Sequence, residues 1–219
     1  MSWRAVVLGG AVLSGLIAAA TFLVMAPART THEGTLATLR ALVQQPTFPS
    51  FCLLLACGAA NEGAFAGWTS TYLDASGFTP VAATWGLSSH WLGLLIGRVL
   101  FARLVDRAKR IAIVRSAVAG GAILLVMITV PVPAVLALGP FAAGMAIGVI
   151  IPTSLALAGE RLPGNPATLF GLLLTMAQVG GMLLPALLGV MADLTSLRAA
   201  LLLAAANAVV IATLAWRVR

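Results

Sequence analysis

The sequence predicts an all-α integral membrane protein with seven transmembrane helices. Of its 219 residues, 61% are hydrophobic and only 9% are charged, whereas about a quarter of the residues of a soluble domain are charged. The mean hydropathy of the chain is +1.06. A chain this apolar has more hydrophobic surface than a globular core can bury, so lipid must solvate much of it.

A transmembrane helix needs about 20 mostly apolar residues, and seven runs of the sequence meet this requirement. Proline and glycine clusters, which favour turns, separate them. The runs cover residues 5–25, 48–73, 81–104, 111–130, 134–158, 167–191 and 198–216. We therefore expect one transmembrane helix over residues 1–25, a cytoplasmic loop over 26–47 and a six-helix bundle over 48–219.

Small residues recur at intervals that allow helices to approach closely. Gly93 and Gly97 are separated by three residues, and so are Gly144 and Gly148. This spacing places both glycines of a pair on one helix face, where the backbone of a second helix can come near. We expect close helix contacts there, either in a static bundle or in a moving transporter.

The basic residues predict the orientation. If the first helix begins outside, most of the thirteen Lys and Arg residues fall in inner segments, as the positive-inside rule requires. These are Arg29, Arg40, Arg103, Arg107, Lys109, Arg110, Arg115, Arg161, Arg217 and Arg219. Arg4 and Arg198 fall outside, and Arg98 lies within a span. We expect a multi-pass protein of the cell (inner) membrane with its amino terminus outside and its carboxyl terminus in the cytoplasm.

Several classes of function find no support in the sequence. The net charge is +7, but most of the basic residues lie in short loops that set the membrane topology. No nucleic-acid partner is therefore expected. Cys52 and Cys57 point to different faces of one helix, which argues against a disulfide or a metal site. Motifs for nucleotide cofactors or nucleophilic catalysis do not occur, so we expect neither enzymatic activity nor a cofactor. The start resembles a signal peptide, but its apolar run exceeds the roughly 7–15 residues of one.

A family resemblance appears at residues 97–110, GRVLFARLVDRAKR. This stretch resembles the loop signature G-x-x-x-D-R-x-G-R-R of the major facilitator superfamily, with Asp106, Arg107, Lys109 and Arg110 matching. Alanines stand where the family usually has glycines. In that family the loop joins the second and third helices of each six-helix half, which is its position here.

Four other stretches are similar to the fucose and glucose permease branch of this family. Residues 58–73 resemble its seventh helix and 89–98 its eighth, although His90 replaces a usual aromatic residue. Residues 152–164 resemble its tenth helix and the following loop, and 180–189 its eleventh.

The resemblance implies that residues 48–219 form the second half of a transporter, built from two inverted three-helix repeats. Residues 1–25 would be the sixth helix and 26–47 the central loop. The implied function is secondary active transport of a small polar solute by alternating access. A sugar is the leading substrate and a proton the candidate coupling ion, and an N-terminal six-helix half would be required. The alternative is a non-transporting remnant, or a scaffold for a partner subunit.

Glu62 is the sharpest candidate for a functional residue, because it lies near the middle of its predicted span. An ionised carboxylate that faces lipid costs at least a few kcal/mol. Glu62 should therefore face a cavity or a partner, beside His90 or Gln178 for example, or be protonated. It is either a coupling or substrate-binding carboxylate, or a neutral acid bonded to a neighbouring helix.

Further binding candidates surround Glu62. Asn61, Phe65, Trp68 and Tyr72 fall on one face of the same helix, and an amide with aromatic rings suits a polyhydroxylated solute. The alternative is aromatic packing and interfacial anchoring, which is favoured for Tyr72.

Polar residues of other spans are candidates for the same cavity. His90 could exchange a proton or bind solute, and Trp91 and Gln178 could line the cavity. Structural hydrogen bonding between helices is the rival role for His90 and Gln178.

Arg98, Asp106, Arg107, Lys109 and Arg110 form a candidate gating cluster at the inner end of the bundle. Arg98 can extend its guanidinium towards this end, where the cluster would hold one transport state closed. The rival interpretation is that these charges only set topology.

The orientation can be tested with reporter fusions. Reporters fused after Arg110 and after Arg219 should both signal a cytoplasmic location, and a reporter after Ser76 should signal the outside. An outside signal after Arg110 would overturn the assignment, because that loop contains the densest basic charge.

Overall fold

The computed structural model describes residues 3–23, 35–102 and 108–218. The chain divides into two compact units, Met1–Gly34 and Thr35–Arg219. In the described residues the regular elements are all α-helices, which confirms the predicted all-α fold. The first unit contains α1 (Trp3–Leu23). The second contains α2 (Thr35–Val43), α3 (Phe48–Ala75), α4 (Pro80–Ala102), α5 (Lys109–Thr129), α6 (Pro133–Ile147), α7 (Ile150–Arg161), α8 (Pro166–Leu194) and α9 (Leu197–Arg217).

Judged by length and apolar composition, five segments of the described chain are able to cross a membrane. They are Phe48–Ala75, Lys109–Thr129, Pro133–Arg161, Pro166–Leu194 and Leu197–Arg217, and α1 contains the shorter apolar stretch Val7–Ala20. The 23-residue helix α4 includes His90 and Arg98 in a mostly apolar sequence. With α6 and α7 taken as one span, these helices correspond to the seven predicted runs.

Two features differ from the sequence prediction. The run predicted over 134–158 is interrupted, because α6 ends at Ile147 and α7 begins at Ile150. Pro152 lies in the first turn of α7, where its missing N–H breaks the hydrogen-bond ladder of a continuous helix. The segment expected to be a loop also contains α2, whose Leu42 is fully buried.

The helix contacts of the second unit follow the pattern of an inverted repeat. The most extensive contacts join α3 to α8, α4 to α6, and α5 to α9. A two-fold operation that exchanges the first three spans of the unit with the last three converts the α3–α8 pair into the α4–α6 pair. The same operation maps the α5–α9 pair onto itself. This symmetry agrees with two three-helix repeats.

Glycines bring α4 and α6 into backbone contact, as their spacing predicts. A Cβ atom on Gly148 would lie 2.6 Å from the carbonyl oxygen of Leu94. Cβ atoms on Gly93, Gly97 and Gly144 would meet carbonyl oxygens of the opposite helix even more closely. Each helix thus presents a small-x-x-x-small surface to the other, and a larger side chain would push the pair apart.

We predict that Gly144→Ala destabilises the protein, because the added methyl group would press on the backbone of α4. Overpacking of this kind costs about 1–3 kcal/mol. The matched control is Gly171→Ala in α8, where a Cβ atom would meet nothing within 4 Å. Thermal unfolding in detergent micelles measures both variants, and equal melting temperatures for the two would contradict the proposed close contact.

Candidate functional site

A cavity of about 320 Å³ lies within the second unit. Its lining residues come from α3, α4, α7 and α8. They are Ala59, Glu62, Gly63, Ala66, Trp91, Ile151, Leu174, Ala177, Gln178, Gly181 and Met182. Most of this lining is apolar, with one carboxylate, one amide and one indole, which is the usual composition of a small-molecule site.

Glu62 forms an ion pair with Arg98 of α4. Nη2 of Arg98 donates to both carboxylate oxygens of Glu62, at 3.0 Å to Oε2 and 3.3 Å to Oε1. The Glu62 side chain is 18% exposed and that of Arg98 is 40% exposed. Opposite charges in neighbouring membrane spans are expected to pair, because an isolated charge in lipid is costly. The carboxylate is therefore held at the edge of the cavity by a cation from the next helix.

Arg98 also contacts the break between α6 and α7. Its Nε donates to the carbonyl oxygen of Gly148 at 3.2 Å. One side chain of α4 thus joins a carboxylate of α3 to the backbone of a third helix.

Gln178 and Trp91 line the same cavity as Glu62. Gln178 is exposed on α8, and its amide can both donate and accept hydrogen bonds. Trp91 is 45% exposed and offers an aromatic face. Three of the residues selected from the sequence are therefore brought together by the fold.

Asn61 does not line this cavity, although it neighbours Glu62 in sequence. It is only 2% exposed, and its Oδ1 accepts a 2.7 Å hydrogen bond from Nδ2 of Asn207. The same Nδ2 donates to the Cys57 carbonyl oxygen at 2.8 Å. The geometry around Asn61 is that of a polar contact between α3 and α9.

The aromatic residues of α3 turn towards the interior of the bundle. Trp68 Nε1 donates to the Pro185 carbonyl oxygen at 3.0 Å, and the Tyr72 hydroxyl donates to the Met127 carbonyl oxygen at 2.9 Å. Together with Phe65 they line a space of only about 10 Å³, which holds about one water molecule. These rings bridge α3 to α8 and α5.

His90 is fully buried on another face of α4. Its ring stacks on Phe65, with centroids 5.1 Å apart and planes 12° apart. Nδ1 lies 3.2 Å from the Pro140 carbonyl oxygen, so Nδ1 carries the proton. Nε2 has no hydrogen-bond partner among the described residues. His90 therefore contacts α3 and α6 and does not line the cavity of Glu62.

Only part of the candidate gating cluster can be placed, since Asp106 and Arg107 lie outside the described residues. Lys109 Nζ donates to Oε1 of Glu160 at 2.7 Å. The Arg110 guanidinium lies 5.1 Å from the centre of the Trp216 ring. The first turn of α5 is therefore linked to the carboxyl-terminal ends of α7 and α9.

The pairing of Glu62 with Arg98 and the contact with Gly148 were not predicted from the sequence. A signal for the pair existed, because each residue is a charge inside an apolar span and the two spans are consecutive. The role of Gly148 depends on the approach of α6 to α4, which the sequence indicated only through the glycine spacing.

A helical membrane bundle with a cavity that carries a few polar side chains between its helices is the general form of a membrane transporter. A family model of the Major Facilitator Superfamily matches residues 1–164 and, in a second match, residues 51–219. The chain belongs to this superfamily, which confirms the resemblance seen at residues 97–110. No curated protein sequence matches the chain significantly.

Solved structures of the same fold agree with this assignment. One is a Major Facilitator Superfamily transporter, FucP, in the outward conformation, with a TM-score of 0.78 and 19% identity over 93% of this chain and 51% of that one. Another is a variant of the E. coli fucose:proton symporter FucP, with the same TM-score and identity, of which 52% is covered. The chain spans about half the length of these proteins.

We predict that Asn61 and Asn207 stabilise the bundle as a pair. A double-mutant cycle with Asn61→Ala and Asn207→Ala should give a coupling energy of about 0.6 kcal/mol and at most about 1.7, the range of interhelical hydrogen bonds in membranes. Unfolding in mixed micelles measures it. The control is Thr175→Ala, whose hydroxyl donates within its own helix to Gly171. Additive effects of the two asparagine substitutions would refute the pairing.

Proposed function

We propose that this chain is one half of a secondary active transporter that moves a small polar solute, with a sugar as the leading substrate and a proton as the coupling ion. The observation that supports this most directly is the cavity of about 320 Å³ in which Glu62 lies beside Gln178 and Trp91. Membership of the Major Facilitator Superfamily supports a transport function.

The cavity suits a small polyhydroxylated molecule. Its volume of about 320 Å³ is near the lower end of the roughly 300–1,000 Å³ typical of small-molecule sites. Hydroxyl groups can donate to the Glu62 carboxylate and exchange hydrogen bonds with Gln178, while the apolar face of a sugar ring can pack on Trp91. Two solved structures of the same fold are of FucP, a fucose:proton symporter, which is consistent with this substrate class.

Glu62 is the proposed coupling residue. Protonation would remove its charge and its ion pair with Arg98, so the two protonation states would favour different arrangements of α3 and α4. A proton bound here can therefore change the balance between transport states. Alternating access would follow from rocking of this half against a second six-helix half.

The loop motif is the proposed gate. Asp106, Arg107, Lys109 and Arg110 match the family signature, and Lys109 and Arg110 contact α7 and α9. Contacts of this kind can hold the inner ends of the helices together in one state and release them in another.

A scaffold or partner-subunit function is the second candidate. The observation that favours it is that Asn61, Trp68 and His90, which were candidate binding residues, instead bond to neighbouring helices. It predicts that the cavity binds no solute and that the chain adds no uptake activity to the membrane.

The proposal predicts that Glu62→Gln abolishes sugar accumulation driven by a pH gradient and spares downhill exchange. The amide keeps the shape of the side chain but cannot titrate. The measurement uses membrane vesicles from cells with and without the full chain and a panel of radiolabelled monosaccharides. Asp74→Asn, an exposed carboxylate at the end of the same helix, is the matched control and should behave as the unmodified chain.

Each remaining outcome selects another interpretation. If accumulation and exchange both survive in Glu62→Gln, Glu62 is a structural residue. If no sugar uptake or binding depends on the chain, the scaffold function is favoured.

A further inference from the structure

The break between α6 and α7 leaves one backbone carbonyl in need of a donor. In a continuous helix the N–H of residue 152 would bond to the carbonyl of residue 148. Residue 152 is proline, which has no N–H. The Gly148 carbonyl therefore has no partner from that position, and a carbonyl within a membrane bundle must be satisfied inside the protein.

Arg98 supplies the missing donor. Its Nε donates to the Gly148 carbonyl oxygen at 3.2 Å, while its Nη2 donates to Glu62 at 3.0 Å. Nε and Nη2 direct N–H bonds to the same side of a rigid, planar guanidinium. Because the group is rigid, a movement of the guanidinium away from Glu62 also changes its hydrogen bond to Gly148. The charge of Glu62 and the bend between α6 and α7 are thus joined by one side chain.

We infer that Arg98 is a positioning residue that transmits the charge state of Glu62 to the bend between α6 and α7. This inference rests on the proposed function of Glu62 as a coupling carboxylate. When Glu62 is ionised, the ion pair holds the guanidinium against Gly148 and the bend is fixed. When Glu62 accepts a proton, the carboxylate becomes a neutral carboxylic acid and Arg98 loses its counter-ion within the span.

The consequence for the cavity follows from the position of Arg98. The side chain is 40% exposed and lies one turn from the end of α4 at Ala102, so its cation can move towards water. Gly148 then loses its donor, and α7 is free to change its angle to α6. Ile151, in the first turn of α7, lines the cavity. Neutralisation of Glu62 therefore alters a wall of the proposed solute site.

The charged group in contact with Glu62 is the guanidinium of Arg98. In the part of the chain that the structure describes, Glu62 forms its ion pair with Arg98. Gln178 of α8 also lines the cavity, but its amide is uncharged. The other titratable or charged groups on the elements packed against α3 are Arg40, His90, Glu160, Arg161, Asp193, Arg198 and Arg217. Of these, His90 is engaged with Pro140 and Glu160 with Lys109.

Pulsed electron paramagnetic resonance on the full chain in lipid nanodiscs tests the inference. Cys52 and Cys57 are replaced by alanine, and spin labels are attached at Leu138 of α6 and Ala156 of α7, both exposed. Glu62→Gln should create a second population of distances between the two labels. Asp74→Asn, which removes an exposed carboxylate, should leave the single population unchanged.

Two further variants separate the positioning role from general damage. Arg98→Lys keeps the charge but not the rigid pair of donors, so it should give the second population even with Glu62 present. Pro152→Ala provides an N–H for Gly148, so in the Glu62→Gln background it should restore the single population.

The inference is overturned if the distances in Glu62→Gln and in Arg98→Lys equal those of the unmodified chain, or if Pro152→Ala restores nothing. This measurement does not depend on transport. Loss of pH-driven uptake in Glu62→Gln with unchanged distances would refute the role of Arg98 and retain Glu62 as the coupling residue. Changed distances with intact uptake would refute the proposed function of Glu62 and retain the link to the bend.

Discussion

Every backbone N–H and C=O group of a membrane bundle must find its partner inside the protein, because lipid offers none. Helices satisfy most of these groups locally, and the exceptions lie at helix ends and four residues before prolines. Two side chains of α4 bond to carbonyls of α6 and its C-cap residue: His90 to Pro140, and Arg98 to Gly148, whose helical donor is missing at Pro152. The two donors lie about two turns apart on α4, as do the two carbonyls on α6. Arg98 thus replaces a donor that Pro152 removes, whereas His90 adds a bond to a carbonyl whose helical donor position, Gly144, has an N–H.

These hydrogen bonds are possible only because the helices are unusually close. Glycines on both α4 and α6 remove the side chains that would keep the backbones apart. The same close approach recurs between α3 and α8, where a Cβ atom on Gly63 would lie 2.5 Å from the Gly181 carbonyl oxygen. The two helix pairs are equivalent under the inverted repeat. Glycines therefore allow close contact at both symmetry-related helix pairs. In the α4–α6 pair they also let polar side chains reach backbone carbonyls.

The ion pair between Glu62 and Arg98 has a different physical character from these contacts. A partly exposed ion pair contributes little to stability, and burial of both charges is costly. Two apolar side chains at these positions would be compatible with a membrane span at a lower free-energy cost. The presence of two charges beside a cavity of about 320 Å³ is accordingly better explained by binding and switching than by stability. The cavity is completed by Trp91 and Gln178 from two other helices.

The sequence by itself determined the helical class, the positions of the spans, the sites of close glycine contact and the presence of a carboxylate within a span. These properties depend on composition and on periods within one helix, which can be read along the chain. The tertiary structure decided which residues share the cavity. Asn61 and Glu62 are adjacent, but one residue rotates a helix by about 100°, so Asn61 bonds to α9 and Glu62 faces the cavity. Arg98 reaches Glu62 and Gly148 from a different helix, and no local pattern encodes that distance. The sequence determines which spans contain the charges. Their partners depend on the packing of α4 between α3 and α6, because that packing brings side chains remote in sequence within hydrogen-bond distance.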